Sequence, residues 1–477
     1  MTSRANPEIF REYDIRGIAD QDLTDPVVRS LGNAFAQYLR TSQARAVAIG
    51  FDARSSSPRL RDALAAGLTE AGIDVIDVGL CPTPALYFAL HHLAPGAGIM
   101  ITGSHNPAEF NGFKLCVGTG TIFGEEIQAL RKIMEEGAIT AGQAGRKVTS
   151  PIVDSYMKHL QALFPNREGA RLRIVLDAGN GTAGLAAPAV VGAMGCEVIE
   201  LFSEPDGRFP NHHPDPTIPA NLTELIRTVR ERNADVGIAF DGDSDRIGVV
   251  DEQGNILWGD QLMVLFARDI LRTRPGSTFV SEVKCSQTMY DDIRARGGNA
   301  IMWKTGHSLI KAKMKEVHAA LAGEMSGHIF FADRYFGFDD AIYAAARVIE
   351  ILQHARKTAG AAAKMSGLLA DLPRTFNTPE IRFDCPDALK FRVVDAAREE
   401  FRGQGLALPP VEVITVDGVR AVFRDGWGLI RASNTQPVLV MRFEATSEAS
   451  LKTIRDFMES RVRSIISGLT GPGASGK

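Results

Sequence analysis

One order of elements occurs three times along this chain, and that repetition limits the fold more than any other feature. Ala46 to Gly50 is an apolar strand, followed by a polar turn, an Ala/Leu-rich helix through Ala71 and a second strand, Ile73 to Val78, opened by Gly72. Leu172 to Leu176 begins the same series, with a helix through Met194 and a strand from Cys196 to Phe202 opened by Gly195. Ser277 to Val283 begins it again, with a helix through Arg296 and a strand from Asn299 to Trp303 opened by Gly298. A strand–helix–strand unit calls for parallel pairing with a right-handed crossover. Each unit leads to a further segment ending in an unusual polar loop: Thr102 to Pro107, Asp241 to Arg246, and Gly323 to His328. Ligands of such sheets gather beyond the carboxyl ends of the strands. Three loops delivered to one central cleft is therefore the simplest arrangement.

The last hundred or so residues break this plan. Arg382 and Phe383 read as a strand, Leu389 to Phe401 as a helix, Val411 to Phe443 as a strand meander and Leu451 to Ile466 as a closing amphipathic helix. Loop composition divides the 477 residues into 1–148, 149–254, 255–368 and 369–477. The expected class is α/β: three related βαβ-type mixed-sheet domains and a smaller α+β C-terminal domain around a central cleft. A glycine-rich tail from Gly468 to Lys477 is expected to be disordered.

Asp241-Gly242-Asp243-Ser244-Asp245-Arg246 carries the strongest chemical signal. Three carboxylates at i, i+2 and i+4 repel one another unless a cation lies between them. Oxygen ligands alone point to a hard divalent ion, and the arginine that follows adds a fork suited to phosphate. An EF-hand is the rival reading, with Glu252 at its twelfth position, but Arg246 stands where that loop needs glycine. The flanks, Val236 to Phe240 and Ile247 to Val250, are β-rich rather than helical, which favours a metal loop at a strand end.

The other loops are ambiguous by residue type. Thr102-Gly103-Ser104-His105-Asn106-Pro107 is no G-x-S-x-G elbow and could be an ordinary turn, so Ser104 is a nucleophile or a turn residue on equal terms. Lys114 alternates with Phe113 and Leu115 and faces away from their apolar side, where a solvated lysine is the usual occupant. His307 is unremarkable alone, and His328 before Ile329-Phe330-Phe331 suits a strand end as well as an acid/base role. Arg431-Ala432-Ser433-Asn434-Thr435 is either a hairpin connection or a phosphate cradle.

Taken together and in order, T-G-S-H-N-P, D-G-D-S-D-R, G-E-M-S-G-H and R-A-S-N-T, with Tyr13-Asp14-Ile15-Arg16-Gly17 at the start, resemble the α-D-phosphohexomutase family over essentially the whole chain. That resemblance implies reversible conversion of hexose 1-phosphate to hexose 6-phosphate through a phosphoserine and a hexose 1,6-bisphosphate. Ser104 would be the phosphoserine, and Asp241, Asp243 and Asp245 would hold one Mg²⁺ together with the Ser104 phosphate. Arg16, His105, Lys114 and His328 would be the catalytic cations and acid/base group. Tyr13, Arg246, Lys284, His307, Glu324, Ser326 and His328 would bind the sugar phosphate, with Arg431, Ser433, Asn434 and Thr435 on the phosphate that does not react. Glucose 1,6-bisphosphate would serve as activator.

Within the family, Glu324 before Met325-Ser326 resembles the mannose/glucose branch, since the amino-sugar branch has glutamine before the serine. A Mg²⁺-dependent sugar phosphatase and a non-catalytic sugar-phosphate binder are the rivals from other classes; intact Ser104 and aspartates count against the latter. A net charge of −4 argues against a nucleic-acid surface, and no apolar run approaches a membrane span. Five widely spaced cysteines and an N-terminus without an apolar leader lead to the expectation of a cytoplasmic protein; the resemblance implies an enzyme acting on small hexose phosphates, expected to be a monomer.

Overall fold

Ala46–Phe51, Arg173–Asp177 and Thr278–Glu282 are buried along most of their length, and a strand covered on both faces belongs inside a sheet. Each is an inner strand of its own sheet in the computed structural model, which describes residues 5–42, 44–137, 139, 143–165, 171–360, 362–433 and 437–470. Each pairs in parallel with the strand reached through its helix: Asp74–Leu80, Glu197–Leu201 and Asn299–Trp303. On the other side each pairs in parallel with a third strand, Gly96–Ile101, Val236–Phe240 and Leu321–Gly323. The third strand then turns back into an antiparallel fourth: Phe110–Val117, Ile247–Asp251 and Ile329–Phe331. The three polar loops are thus one topological position used three times, the turn at the carboxyl end of a central parallel strand. Strands on both sides of Asp241–Arg246 exclude the EF-hand, and Glu252 instead accepts from the Ser366 hydroxyl.

The fourth sheet is antiparallel. Glu412–Ile414, Val419–Phe423, Gly426–Ala432 and Val438–Ala445 form a meander, with Ile381–Asp384 and Phe376–Asn377 added along the last strand. Helices Asp387–Arg402 and Glu448–Thr470 cover it. The second of these corrects the expected tail: Gly468 to Thr470 are helical, because Leu469 packs on the core of that domain, and residues 471–477 lie outside the described ones.

One apolar core runs through the first three domains, from Ala48 and Leu86 through Leu176 and Phe240 to Phe279 and Leu352. The fourth has a separate core, joined to the third by a small cluster of Val283, Trp427 and Leu429. The connecting stretch is held as far as Leu372: Ser366 bonds Glu252, Arg268 bonds Leu368 O and Asp371, and Leu368, Leu369 and Leu372 pack on the large core. All five cysteines are free. Among the described residues no helix is long and apolar enough to cross a membrane.

Candidate active site

The turn at the end of Gly96–Ile101 and the turn at the end of Val236–Phe240 meet face to face. Ser104, in a left-handed conformation with φ of 49°, donates its hydroxyl to Asp241 Oδ2 at 2.8 Å and lies 3.1 Å from His105 Nδ1. The other oxygen of Asp241 accepts the amides of Asp245 and Arg246, both at 3.1 Å, which closes the acidic turn on itself. Thr83 begins a helix that points its positive end at this turn, donating its amide to Asp243 O at 2.8 Å and its hydroxyl to Asp243 Oδ2 at 2.6 Å.

Lys114 is not solvated. It is 4% exposed, and its ammonium donates to Asp243 Oδ2 at 2.7 Å and to Asp245 Oδ2. Burial lowers its pKa, but Asp243 and Asp245 raise it by more, so the ammonium stays charged. Burial raises the pKa of Asp241, and its two acidic neighbours raise it further. Asp243 is likewise penalised by burial, yet Lys114 and Thr83 hold it below the usual carboxylate range.

These residues fit a hard cation. One oxygen from each of Asp241, Asp243 and Asp245 can be chosen within 4.8 Å of the others, and all three side chains are fully buried. Oδ1 of Asp243 and of Asp245 is buried without a hydrogen-bond partner, although the second oxygen of each is taken by Lys114. Buried orphan carboxylate oxygens in an all-oxygen set call for Mg²⁺ or a similar ion.

Above this floor lies a cleft of about 790 Å³ lined by all four domains. Arg16 enters from the first, paired with Asp14 and facing the Asn106 amide, whose oxygen accepts from Nη1 at 2.8 Å and Nε at 3.2 Å. Burial, then Arg246 and Arg16, push the pKa of His105 well below its ordinary value, so it is neutral. Arg246 donates from Nε to His328 Nε2 at 2.9 Å. The other ring nitrogen of His328, Nδ1, lies 3.0 Å from Asp339 Oδ2 and 3.6 Å from Asp245 Oδ1, without a hydrogen bond to either. His307, at the start of helix His307–Glu316, stacks beside His328 with ring centres 5.6 Å apart, and its pKa is lowered by burial and by Lys311.

Glu324 accepts the Gly306 amide at 2.7 Å, and burial followed by Glu282 raises its pKa. Ser326 lines the same wall, and Tyr13 reaches across to it, donating to Thr305 O at 2.9 Å. Lys284 lies 3.4 Å from Glu380 and 3.5 Å from Glu282. Opposite, Arg431 is held by Asp417 at 3.1 Å at the end of Gly426–Ala432, next to Ser433. Asn434 and Thr435 lie outside the described residues.

Sequence reasoning passed over several groups that the fold brings here. Asp52 and Arg54, buried beneath the Ser104 turn, read as a polar turn after the first repeat strand. Their position at a carboxyl strand end was the available signal. Asp339, which faces His328, His307 and Lys311, left no signal, because it precedes a helix far from any motif.

Comparison with known proteins gives a consistent result. The domain models of phosphoglucomutase/phosphomannomutase match residues 7–140 (α/β/α domain I), 154–254 (domain II), 258–368 (domain III) and 380–460 (C-terminal domain). A phosphomannomutase/phosphoglucomutase of Pseudomonas putida is 47% identical over 455 residues, 95% of each chain. A phosphoglucomutase of Neisseria gonorrhoeae is 43% identical over 461 residues, 96% of this chain and 97% of that one. The crystal structure of a phosphoglucomutase/phosphomannomutase family protein from Burkholderia thailandensis matches with a TM-score of 0.88 at 41% identity, covering 99% of both chains.

Proposed function

Since the chain belongs to the α-D-phosphohexomutase family of phosphoglucomutases and phosphomannomutases, we propose that it interconverts hexose 1-phosphates and 6-phosphates of glucose and mannose through a phosphoserine at Ser104. Phosphorylated Ser104 gives its phosphoryl group to the free hydroxyl of the bound monophosphate. The serine P–O bond breaks as the sugar P–O bond forms, and the sugar hydroxyl proton ends on Ser104 Oγ. The hexose 1,6-bisphosphate turns over in the cleft, and its other phosphoryl group returns to Ser104 by the reverse exchange. The observation that carries this reading is the 2.8 Å bond from Ser104 Oγ to Asp241 Oδ2, which joins a nucleophile turn to a carboxylate turn from another domain.

The residues divide the work by chemistry. Asp241 can accept the serine proton, while Lys114, Arg16 and Arg246 supply positive charge around the transferring group. Mg²⁺ held by Asp241, Asp243 and Asp245 would add Lewis-acid stabilisation of the phosphoryl oxygens when bound. His328 presents Nε2 as the proton acceptor once Arg246 turns to phosphate. Glu324 and Ser326 bond vicinal hydroxyls, with Lys284, His307 and Tyr13 around them. Arg431, Ser433, Asn434 and Thr435 take the phosphate that is not reacting.

Incubation with glucose 1-phosphate, Mg²⁺ and trace glucose 1,6-bisphosphate should yield glucose 6-phosphate and little free phosphate. Ser104→Ala should remove most of that activity. Release of inorganic phosphate as the main product would make the protein a phosphatase instead.

A further inference from the structure

Ser104 holds a backbone conformation that non-glycine residues seldom adopt, with φ of 49°. Something must keep it there, and what does so lies behind the turn rather than in the cleft. Arg54 is 1% exposed and directs all five of its N–H bonds to acceptors. Nε reaches Asp52 Oδ2 at 3.1 Å; Nη1 reaches Phe110 O at 2.9 Å and Pro107 O; Nη2 reaches Ser104 O at 2.8 Å and Asn106 O at 2.6 Å. Four carbonyls of one loop thus converge on one guanidinium.

Asp52 completes the device. It accepts from Thr102 Oγ1 at 2.9 Å and from the Gly103 amide at 3.1 Å, and Thr102 Oγ1 accepts in turn from the Ser104 amide at 2.8 Å. Both backbone groups of Ser104 are therefore fixed through this pair, the carbonyl by Arg54 and the amide by Thr102. Gly103 permits the approach, because a Cβ there would come 2.5 Å from the guanidinium carbon. The second domain closes the other side: Phe209 lies over the guanidinium at 5.1 Å, and a Cβ on Gly207 would come 2.4 Å from Arg54 Cα.

We infer that Arg54, with Asp52, is a positioning residue for phosphoryl transfer at Ser104, aiming Oγ at the Asp241 turn without itself touching substrate. The inference rests on Ser104 being the phosphoryl carrier. Lysine keeps the charge of arginine but has three donors and no planar fork, so it cannot hold four carbonyls. A nucleophile displaced by about 1 Å costs on the order of 100-fold in rate. The loss should fall on the chemical step, since Arg54 does not line the cleft.

The test compares wild type with Arg54→Lys in steady-state turnover of glucose 1-phosphate and in a single-turnover assay of Ser104 phosphorylation by glucose 1,6-bisphosphate. In that half-reaction the sugar P–O bond breaks, the bond to Oγ forms, and the serine proton ends on the sugar oxygen. The expected result is kcat and the single-turnover rate both lower by about 100-fold, with KM within about threefold. A folded Arg54→Lys protein with near wild-type kcat, or with its loss in KM, overturns the inference. Thr102→Val, which removes both the acceptor of the Ser104 amide and the hydroxyl bond to Asp52 while leaving Arg54 in place, should lower kcat about tenfold at unchanged KM. It decides the matter if Arg54→Lys does not fold, and unchanged kcat in it overturns the inference. Wild type that takes up no phosphate at Ser104 would sink the underlying reading; wild type and Arg54→Lys phosphorylated equally fast would sink only the positioning role.

Discussion

Lys114→Met should separate the stability of this site from its chemistry. The ammonium is buried and bonded to Asp243 and Asp245, so its removal leaves two buried carboxylates without their cation. Breaking a buried ion pair in this way costs about 3–5 kcal/mol. The shared core makes the first three domains one cooperative unit of roughly 370 residues, for which each kcal/mol moves Tm by about 1.3 °C, which predicts a fall of about 4–6 °C in chelator. The sign with pH follows from the shifts. The pKa of Lys114 is lowered by burial and raised more by Asp243 and Asp245; its contribution is full below the unfolded value of about 10.4 and is lost as pH rises through the folded value. Asp243, penalised by burial but held low chiefly by Lys114, contributes above about pH 3.9 and loses that contribution as pH falls. Between about pH 6 and 9 both contributions are complete, so the Tm deficit should not vary there. Added Mg²⁺ should raise Tm more in the variant than in wild type, because Asp243 and Asp245 have lost the ammonium bonded to them. Turnover should stay low, since the ion restores charge balance but not the ammonium. Scanning calorimetry in EDTA and in Mg²⁺, with a glucose 6-phosphate assay on the same samples, makes the comparison. A variant whose Tm in EDTA matches wild type would refute the buried-pair argument.

Two further predictions concern the metal and the fourth domain. Chelation should abolish activity and Mg²⁺ restore it, whereas Asp243→Asn should stay folded yet respond weakly to Mg²⁺ in activity and in Tm; activity that survives exhaustive chelation would count against the carboxylate site. Arg431→Ala should raise KM for glucose 1-phosphate roughly 10-fold or more with a smaller change in kcat, because a phosphate that does not react supplies uniform binding; steady-state kinetics with unchanged KM would put that phosphate elsewhere.

The repeated strand order was legible because it is written in local patterns: apolar strand, helix, glycine, strand. What covers each strand face was not. Phe113-Lys114-Leu115 shows only that Lys114 points away from two apolar neighbours; the acidic turn that buries it comes from residues 129 and 131 positions later. Arg54 was hidden for a similar reason, since apart from Asp52 its acceptors are carbonyls 50 or more positions away and carbonyls carry no residue identity. The ties that hold the connection from Ser366 to Leu372 were hidden likewise, since Glu252 and Arg268 are partners distant in sequence. The Asp241–Arg246 turn was readable because its three carboxylates alternate within one short stretch, so spacing alone brings them together.

The central claim is that Ser104 carries the phosphoryl group between sugar positions. Protein freed of phosphate should be exposed to glucose 1,6-bisphosphate labelled in its phosphates, quenched, digested and mapped, with a second sample chased by unlabelled glucose 6-phosphate. The account predicts label on Ser104 alone, moving into hexose bisphosphate during the chase and absent in Ser104→Ala. Label on another residue, or its release as inorganic phosphate during the chase, would contradict it.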